Sequence, residues 1–334
     1  FYNAQVKIIS TKFTRANITE SSHEVKILLS NLNGKVLYTT GNENDLIYPR
    51  SSVKIFQAIP FVNSQAIQYF NLNSKIVALA CSSHRGENFH LKELKNWLRL
   101  IGMNKNILKC GIHNPLDVKA NEQLLRANKK TNELHNNCAG KHLAMITSCI
   151  INNYSTKNYL KLNHPHQLNI RRIFEKFSNN KISIKNYGID GCSAPQYSFK
   201  MKDISEMLIN LVKSYNSQFE YSEEVKYLIN SIIKYPKYIG GTDSLDSIIM
   251  GLSDKIFCKG GAEGVFLFAD LKNKIVGVIK VVDGNERAIP VVIYKLFKKF
   301  KMMNNKQLKK FSKFYKFELV NHAKIVVGSI RTNI

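Results

Sequence analysis

Two β-hairpin patterns, one near each end of the chain, constrain the fold more than any other feature. EVKILLS and KVLYTT flank Asn31-Leu32-Asn33-Gly34, and Asn-Gly is a strong turn signal. GVFLFAD and IVGVIKVV flank Leu271-Lys272-Asn273-Lys274. Between them the apolar spacing is mostly three and four, which predicts helices over about 51–70, 90–103, 141–152, 166–177, 202–215 and 221–234. KIVALA, ending before Ser82, and KIFC, ending before Lys259, read as short strands. A further helix runs from about Arg287 to Phe300, with Pro290 limiting its first turn.

Connections are short and unknotted, so the economical arrangement is one antiparallel sheet built from both chain ends. Helices cover it, and a helical lobe is inserted between its halves. The expected class is mixed α/β, of the α+β kind. The sheet lobe spans about 20–50 and 255–300, the mainly helical lobe about 51–254, and a basic C-terminal tail about 301–334, all as a single unit of 1–334. A cleft between lobes is the natural place for chemistry.

Composition excludes several classes. Hydrophobic residues make up 44% of the 334, enough for a sizeable core, and no run approaches the apolar length of a membrane-spanning helix. The opening FYNAQVKIISTKFTRANITES lacks a hydrophobic signal core, and the six cysteines are scattered, so a reduced, cytoplasmic setting is expected. The formal charge of +25 invites a nucleic-acid reading. Lysine is spread along the whole chain, however, and the densest run, Lys295 to Lys316, carries no nucleic-acid motif. It reads as a solvated helix face, and nucleic acid is not expected as a partner.

Chemistry-bearing residues cluster in four places. Ser51 and Lys54 stand three apart ahead of the apolar run IFQAIPFV. On a helix they share a face, where a desolvated, neutral lysine can take a serine proton. Arg50 adds positive charge beside them. The bland alternative is an ordinary helix start. Ala80-Cys81-Ser82-Ser83-His84-Arg85-Gly86-Glu87 supplies Ser83, a hydroxyl partner for Lys259 in the late Lys-Gly-Gly; His84 and Glu87 would hold the loop. An early S-x-x-K and a late K-x-G follow the order of penicillin-recognising serine enzymes, although no S-D-N appears. His135-Asn136-Asn137-Cys138-Ala139-Gly140-Lys141-His142 and the later Asp190-Gly191-Cys192 bring together two thiols and nitrogen donors that suit zinc. On residue chemistry alone, His142 is the expected nitrogen ligand, being neutral at physiological pH. Two unrelated loops with buried cysteines are the competing reading.

Taken together, YPRSSVKIFQAIPFV, ACSSHRGE, LHNNCAGKH, YGIDGCSAP, GGTDSLD, KGGAEGV and VVDGNERA resemble the bacterial asparaginase II family, the rhizobial, class 3 type of L-asparaginase. The likeness runs in order from about Tyr48 to about Ala288. It implies a fold similar to serine β-lactamases and glutaminases, a homodimer, and hydrolysis of L-asparagine to L-aspartate and ammonia. Carried onto matching positions, Ser51 with Lys54 and Ser83 with Lys259 become two serine–lysine pairs, with Ser51 the favoured nucleophile. Arg50 and Asp190 fix the amino-acid end of the substrate. Cys138, Lys141 and Cys192 bind zinc, so that Lys141 replaces His142 as the nitrogen ligand. His142 and Asp190 orient ligands or substrate. The chain departs from the family pattern at Ile55, Arg85, Ala139, Ser193 (usually Gly) and Ser244. The rivals are an acyl-serine enzyme acting on glutamine or a lactam, a low-activity relative, and a basic nucleic-acid binder.

Overall fold

The computed structural model describes residues 8–334. The chain opens with β1 (Ile9–Arg15), β2 (Ile18–Asn31), β3 (Val36–Thr40) and β4 (Leu46–Ile47). A helical stretch follows: α1 (Lys54–Asn63), α2 (Ala66–Tyr69), α3 (Ser74–Ala80), α4 (Asn88–Leu100), α5 (Val118–Arg126), α6 (Ala139–Ile151) and α7 (Pro165–Ser178). Three short strands, β5 (Tyr187–Ile189), β6 (Pro195–Tyr197) and β7 (Phe199–Lys200), precede α8 (Met201–Tyr215), α9 (Ser222–Lys234), α10 (Lys237–Gly240) and α11 (Leu245–Leu252). The chain then returns to the sheet with β8 (Ile256–Gly261), β9 (Val265–Asp270) and β10 (Ile275–Val281), and ends in α12 (Ile289–Lys299), α13 (Asn305–Phe314), β11 (Glu318–Val320) and β12 (Val326–Thr332).

Among the described residues the main sheet has eight strands in the order β11-β12-β1-β2-β10-β9-β8, with β3 also paired to β2. Every pairing is antiparallel. The two ends of the chain meet where β2 pairs β10, with Ile27 opposite Ile279. Side chains alternate between the faces of a strand. Leu29 therefore faces the side where Phe268 packs on the Phe297 ring of α12 at 5.1 Å. Ser30 faces the other side and accepts a hydrogen bond from Ser205 of α8. Covered on both faces, β9 is buried along its whole length.

The sheet built from both ends and the inserted helices match the α+β expectation. Two segments differ from the sequence reading. KIVALA lies in α3, not in a strand. Asn73 caps this helix by accepting from the Lys75 and Ile76 amides. Ile76 to Ala80 are all buried, and a short run that is apolar on every side has no alternation to separate strand from buried helix. The C-terminal 301–334 is folded as well. Leu308 and Phe311 anchor α13, and β12 pairs with β1, Phe13 opposite Ile330. The Lys-rich run hid these apolar anchors. Among the described residues no helix is long and apolar enough to cross a membrane, and all six cysteines are free and buried.

Candidate active site

The turn before α1 sets the geometry of the Ser-x-x-Lys segment. Residues Arg50–Val53 form one 3-10 turn, and Arg50 takes a left-handed φ of 53°. Ser52 donates to the Pro49 carbonyl at 2.6 Å, which ties the turn to itself. The end of β8 presses on this turn. A Cβ at Gly261 would meet Pro49 O at 2.5 Å and the Ser51 amide nitrogen at 3.3 Å, so only glycine permits the approach.

Lys54 opens α1 with its side chain in the interior, 0% exposed. Its Nζ donates to the Ser82 carbonyl, lies 3.1 Å from Ser83 Oγ, and lies 3.2 Å from Cys138 Sγ. Burial pushes its pKa below the ordinary lysine value. The Cys138 sulfur works against that shift, and the Lys141 and Lys259 charges add to it. No hydrogen bond joins Lys54 to Ser51, which lies in the 3-10 turn just ahead of α1. Lys54 thus partners the hydroxyl of the second serine.

Ser83 follows α3, and its amide donates to the Ile239 carbonyl at 2.7 Å. The loop beyond is fixed as the sequence suggested. Gly86 N–H donates to His84 Nδ1 at 3.2 Å, and Glu87 accepts from the amide and hydroxyl of Thr242 at 2.8 and 2.6 Å. Ser51, Ser83 and Lys259 all line one cavity of about 570 Å3, a size suited to a small ligand. Lys259 does not hydrogen-bond Ser83. Its Nζ donates to Asp246 Oδ2 at 3.0 Å and to Gly260 O at 2.8 Å. Asp246, like the cavity residues Glu286 and Tyr315, was given no role from sequence, and Arg85 entered only as a departure from the family pattern. Asp246 closes the GGTDSLD block that helped carry the family resemblance, two residues after the helix-capping Ser244.

Behind Lys54 lies the cysteine cluster. Cys138 stands just before α6, and Lys141, three residues on, shares its helical face. Cys192 arrives from the tight loop between β5 and β6, where Ser193 is left-handed at φ 69°. The Cys138 and Cys192 sulfurs and a carboxylate oxygen of Asp190 lie within 4.8 Å of one another. Lys141 Nζ donates to Cys192 Sγ at 2.9 Å and is 3.8 Å from Asp190. Arg50 Nε donates to the other Asp190 oxygen at 2.7 Å.

The electrostatics of this cluster are coupled. Hydrogen bonding from Cys138 pulls Cys192 down to about 5 against its burial, with the Lys141 charge assisting. The same contact, with burial, pushes Cys138 up to about 12. Burial opposes the Lys141 ammonium, but the two sulfurs and Asp190 outweigh it and hold its pKa above the ordinary value. Burial likewise opposes charge on Asp190, yet Lys141 and Arg50 bring it down to about 2. His142 is fully buried. Its Nδ1 meets the Tyr159 hydroxyl at 2.7 Å, its Nε2 has no partner, and burial lowers it to about 3. Two sulfurs, a nitrogen and a carboxylate in a dry cluster form a donor set that fits zinc.

A small-molecule cavity walled by serine hydroxyls, with a buried amine against one of them, has the groups that an amidohydrolase needs. The chain belongs to the L-asparaginase II family, whose model matches residues 11–332, nearly the whole sequence. Membership makes it an amidohydrolase acting on asparagine. No curated protein matches the chain.

Proposed function

We propose that the chain hydrolyses L-asparagine to L-aspartate and ammonia by serine acyl transfer, with Lys54 as the base. One observation carries this reading: the Lys54 amine is buried among three partners. A neutral amine has two N–H groups and one lone pair. In the neutral form, Ser82 O and Cys138 Sγ would accept the two N–H groups, and the lone pair would be left for the Ser83 hydroxyl, whose Oγ lies 3.1 Å from Nζ.

As the Ser83 proton passes to Nζ, Oγ bonds to the side-chain amide carbon. The C–N bond then breaks, and ammonia leaves with the proton returned from Lys54. Water attacks the resulting ester, giving its proton to the same amine, and aspartate departs as the serine hydroxyl is restored. Assigning Ser83 rather than Ser51 as nucleophile rests on the hydrogen bond to Lys54. Ser51 is the second hydroxyl at the same cavity wall. Arg50 and Asp190 are the groups for the charged amino-acid end, and His142 orients metal ligands or substrate. The sheet and inserted helical lobe are read as the serine β-lactamase-like arrangement, and a homodimer belongs to the same reading, tested by sedimentation.

Cys138, Lys141 and Cys192 would hold zinc. Bound there, the ion would supply Lewis-acid polarisation of a carbonyl or of water. Lys141 must shed its proton to act as a ligand, so loading rises with pH.

The test is ammonia release from asparagine, glutamine and a chromogenic lactam, with zinc quantified in the same sample and Ser51→Ala and Ser83→Ala run in parallel. Asparagine is expected to be turned over fastest, and Ser83→Ala to lose that activity while remaining folded. Faster turnover of glutamine or the lactam overturns the substrate. Near-normal turnover by Ser83→Ala overturns the nucleophile.

A further inference from the structure

The Asp246–Lys259 pair is the most developed feature of the cavity that the proposed chemistry leaves without a role. Asp246 sits in the first turn of α11, where Ser244 caps the helix by accepting from the Ser247 amide. That position places a carboxylate at the positive end of the helix. One oxygen accepts from Lys259 Nζ at 3.0 Å and the other from the Gly260 amide at 3.1 Å. Both side chains are almost wholly withdrawn from solvent, at 4% and 9% exposure, yet both residues line the cavity with Ser51 and Ser83. The bidentate grip fixes the acid against both the backbone and the side chain of β8. Every acceptor around Lys259 Nζ is then a carboxylate or a carbonyl, which suits an ammonium and offers no hydroxyl proton to a lone pair.

We infer that Asp246 is a positioning residue that locks Lys259 as a fixed ammonium on the cavity wall. This divides the two lysines: Lys54 handles protons, and Lys259 supplies permanent positive charge to the negative charge that develops on the amide oxygen. The inference rests on the serine acyl-transfer reading. Other ionisable groups whose fields couple to the pair are Lys54 of α1, Cys81 after α3, Cys258 of β8, Glu286 ahead of α12 and Tyr315 after α13.

The experiment compares Asp246→Asn and Asp246→Glu with the unaltered chain in kcat, KM and the pH profile of kcat/KM. Without the carboxylate the ammonium loses its partner, so the basic limb of the Asn variant is expected to move down by about one pH unit or more. Its kcat falls at least ~10-fold, with KM changed less. The Glu variant restores the limb. A basic limb that stays in place overturns the inference. So does a downward move of the acidic limb, which would make Lys259 a base. Folding of each variant is read from its melting temperature. Should Asp246→Asn not fold, NMR titration of 13Cε-labelled lysine in the unaltered chain, with Lys259 assigned through Lys259→Arg, decides the matter. The resonance is expected in its protonated position at neutral pH, and a neutral-amine resonance there overturns the proposal. The titration needs no substrate, so it fails separately from the parent reading, which fails when the unaltered chain releases no ammonia.

Discussion

Lys54 Nζ lies 3.1 Å from Ser83 Oγ, a residue twenty-nine positions later, and makes no hydrogen bond to Ser51, three positions before it. Helical spacing would have joined the nearer pair. Ser51 lies in the 3-10 turn that starts at the left-handed Arg50, ahead of the regular helix that begins at Lys54. The hydroxyl that meets the amine comes instead from the end of α3, whose loop is held by Ile239 and Thr242.

Replacing Lys54 separates its chemical role from its structural cost. Lys54→Met is expected to lower kcat by ~100-fold or more, as loss of a positioned general base does. Because burial lowers the folded-state pKa of Lys54, the unfolded chain binds the extra proton between that value and the ordinary lysine pKa of about 10.4. Stability therefore climbs as pH rises through that window, and the penalty is fully present below it. Lys54→Met removes the penalty and is expected to melt no lower than the unaltered chain at neutral pH. In the unaltered enzyme kcat/KM should rise with pH and level off below the ordinary lysine range. A flat profile on the acidic side, or a Met variant with normal turnover, would remove Lys54 as the base.

What sequence revealed and what it concealed divide along physical lines. The hairpins around Gly34 and Lys274 were legible because turn chemistry and strand alternation are local. The long amphipathic helices were legible too, α7 and α9 within a residue of their expected ends. KIVALA was not, since burial on all sides erases the period that distinguishes helix from strand. Strand β12 was hidden by its dependence on β1, more than three hundred residues away. At the site, the residue types were visible but their partners were not. The pairing of Lys54 with Ser83 and of Lys259 with Asp246 follows from how α3 and α11 dock, which spacing does not encode.

The cysteine cluster makes a prediction about metal. Protein purified without chelator is expected to carry about one zinc per chain, and Cys138→Ser, Lys141→Met and Cys192→Ser each to lower that content sharply. Elemental analysis reads this without any assay. Finding no metal at neutral or mildly alkaline pH, where Lys141 deprotonation is least costly, would leave the cluster as a buried charge network.

Ser193 supplies a test of stored strain. Its φ of 69° lies in the left-handed region, its amide donates to Asp190 O at 2.8 Å, and the chain has serine where the family resemblance implies glycine. A non-glycine residue there costs roughly 1–2 kcal/mol, part of which glycine returns as unfolded-state entropy. Ser193→Gly is therefore expected to stabilise by about 0.5 kcal/mol, a rise of roughly 1–2 °C in Tm. Differential scanning calorimetry measures it, and an unchanged or lowered Tm would show that the loop carries no such strain.

Gly261 is where the sheet sets the position of the serine turn. A Cβ there would lie 2.5 Å from Pro49 O and 3.1 Å from the Ser52 amide nitrogen, both backbone atoms that cannot swing aside. Gly261→Ala must therefore push β8 away from the turn that carries Ser51 and precedes Lys54. The same shift moves Lys259, two residues earlier on β8, relative to Ser83 across the cavity. A displacement of about 1 Å in a reacting constellation costs on the order of 100-fold in rate. The alanine variant is expected to lose that much kcat with a Tm drop of only a few degrees, because the strand's pairing with β9 stays intact. Side-by-side kinetics and melting curves check this. Full activity in the variant would mean that the turn moves with the strand and that the contact does not set the geometry of the site.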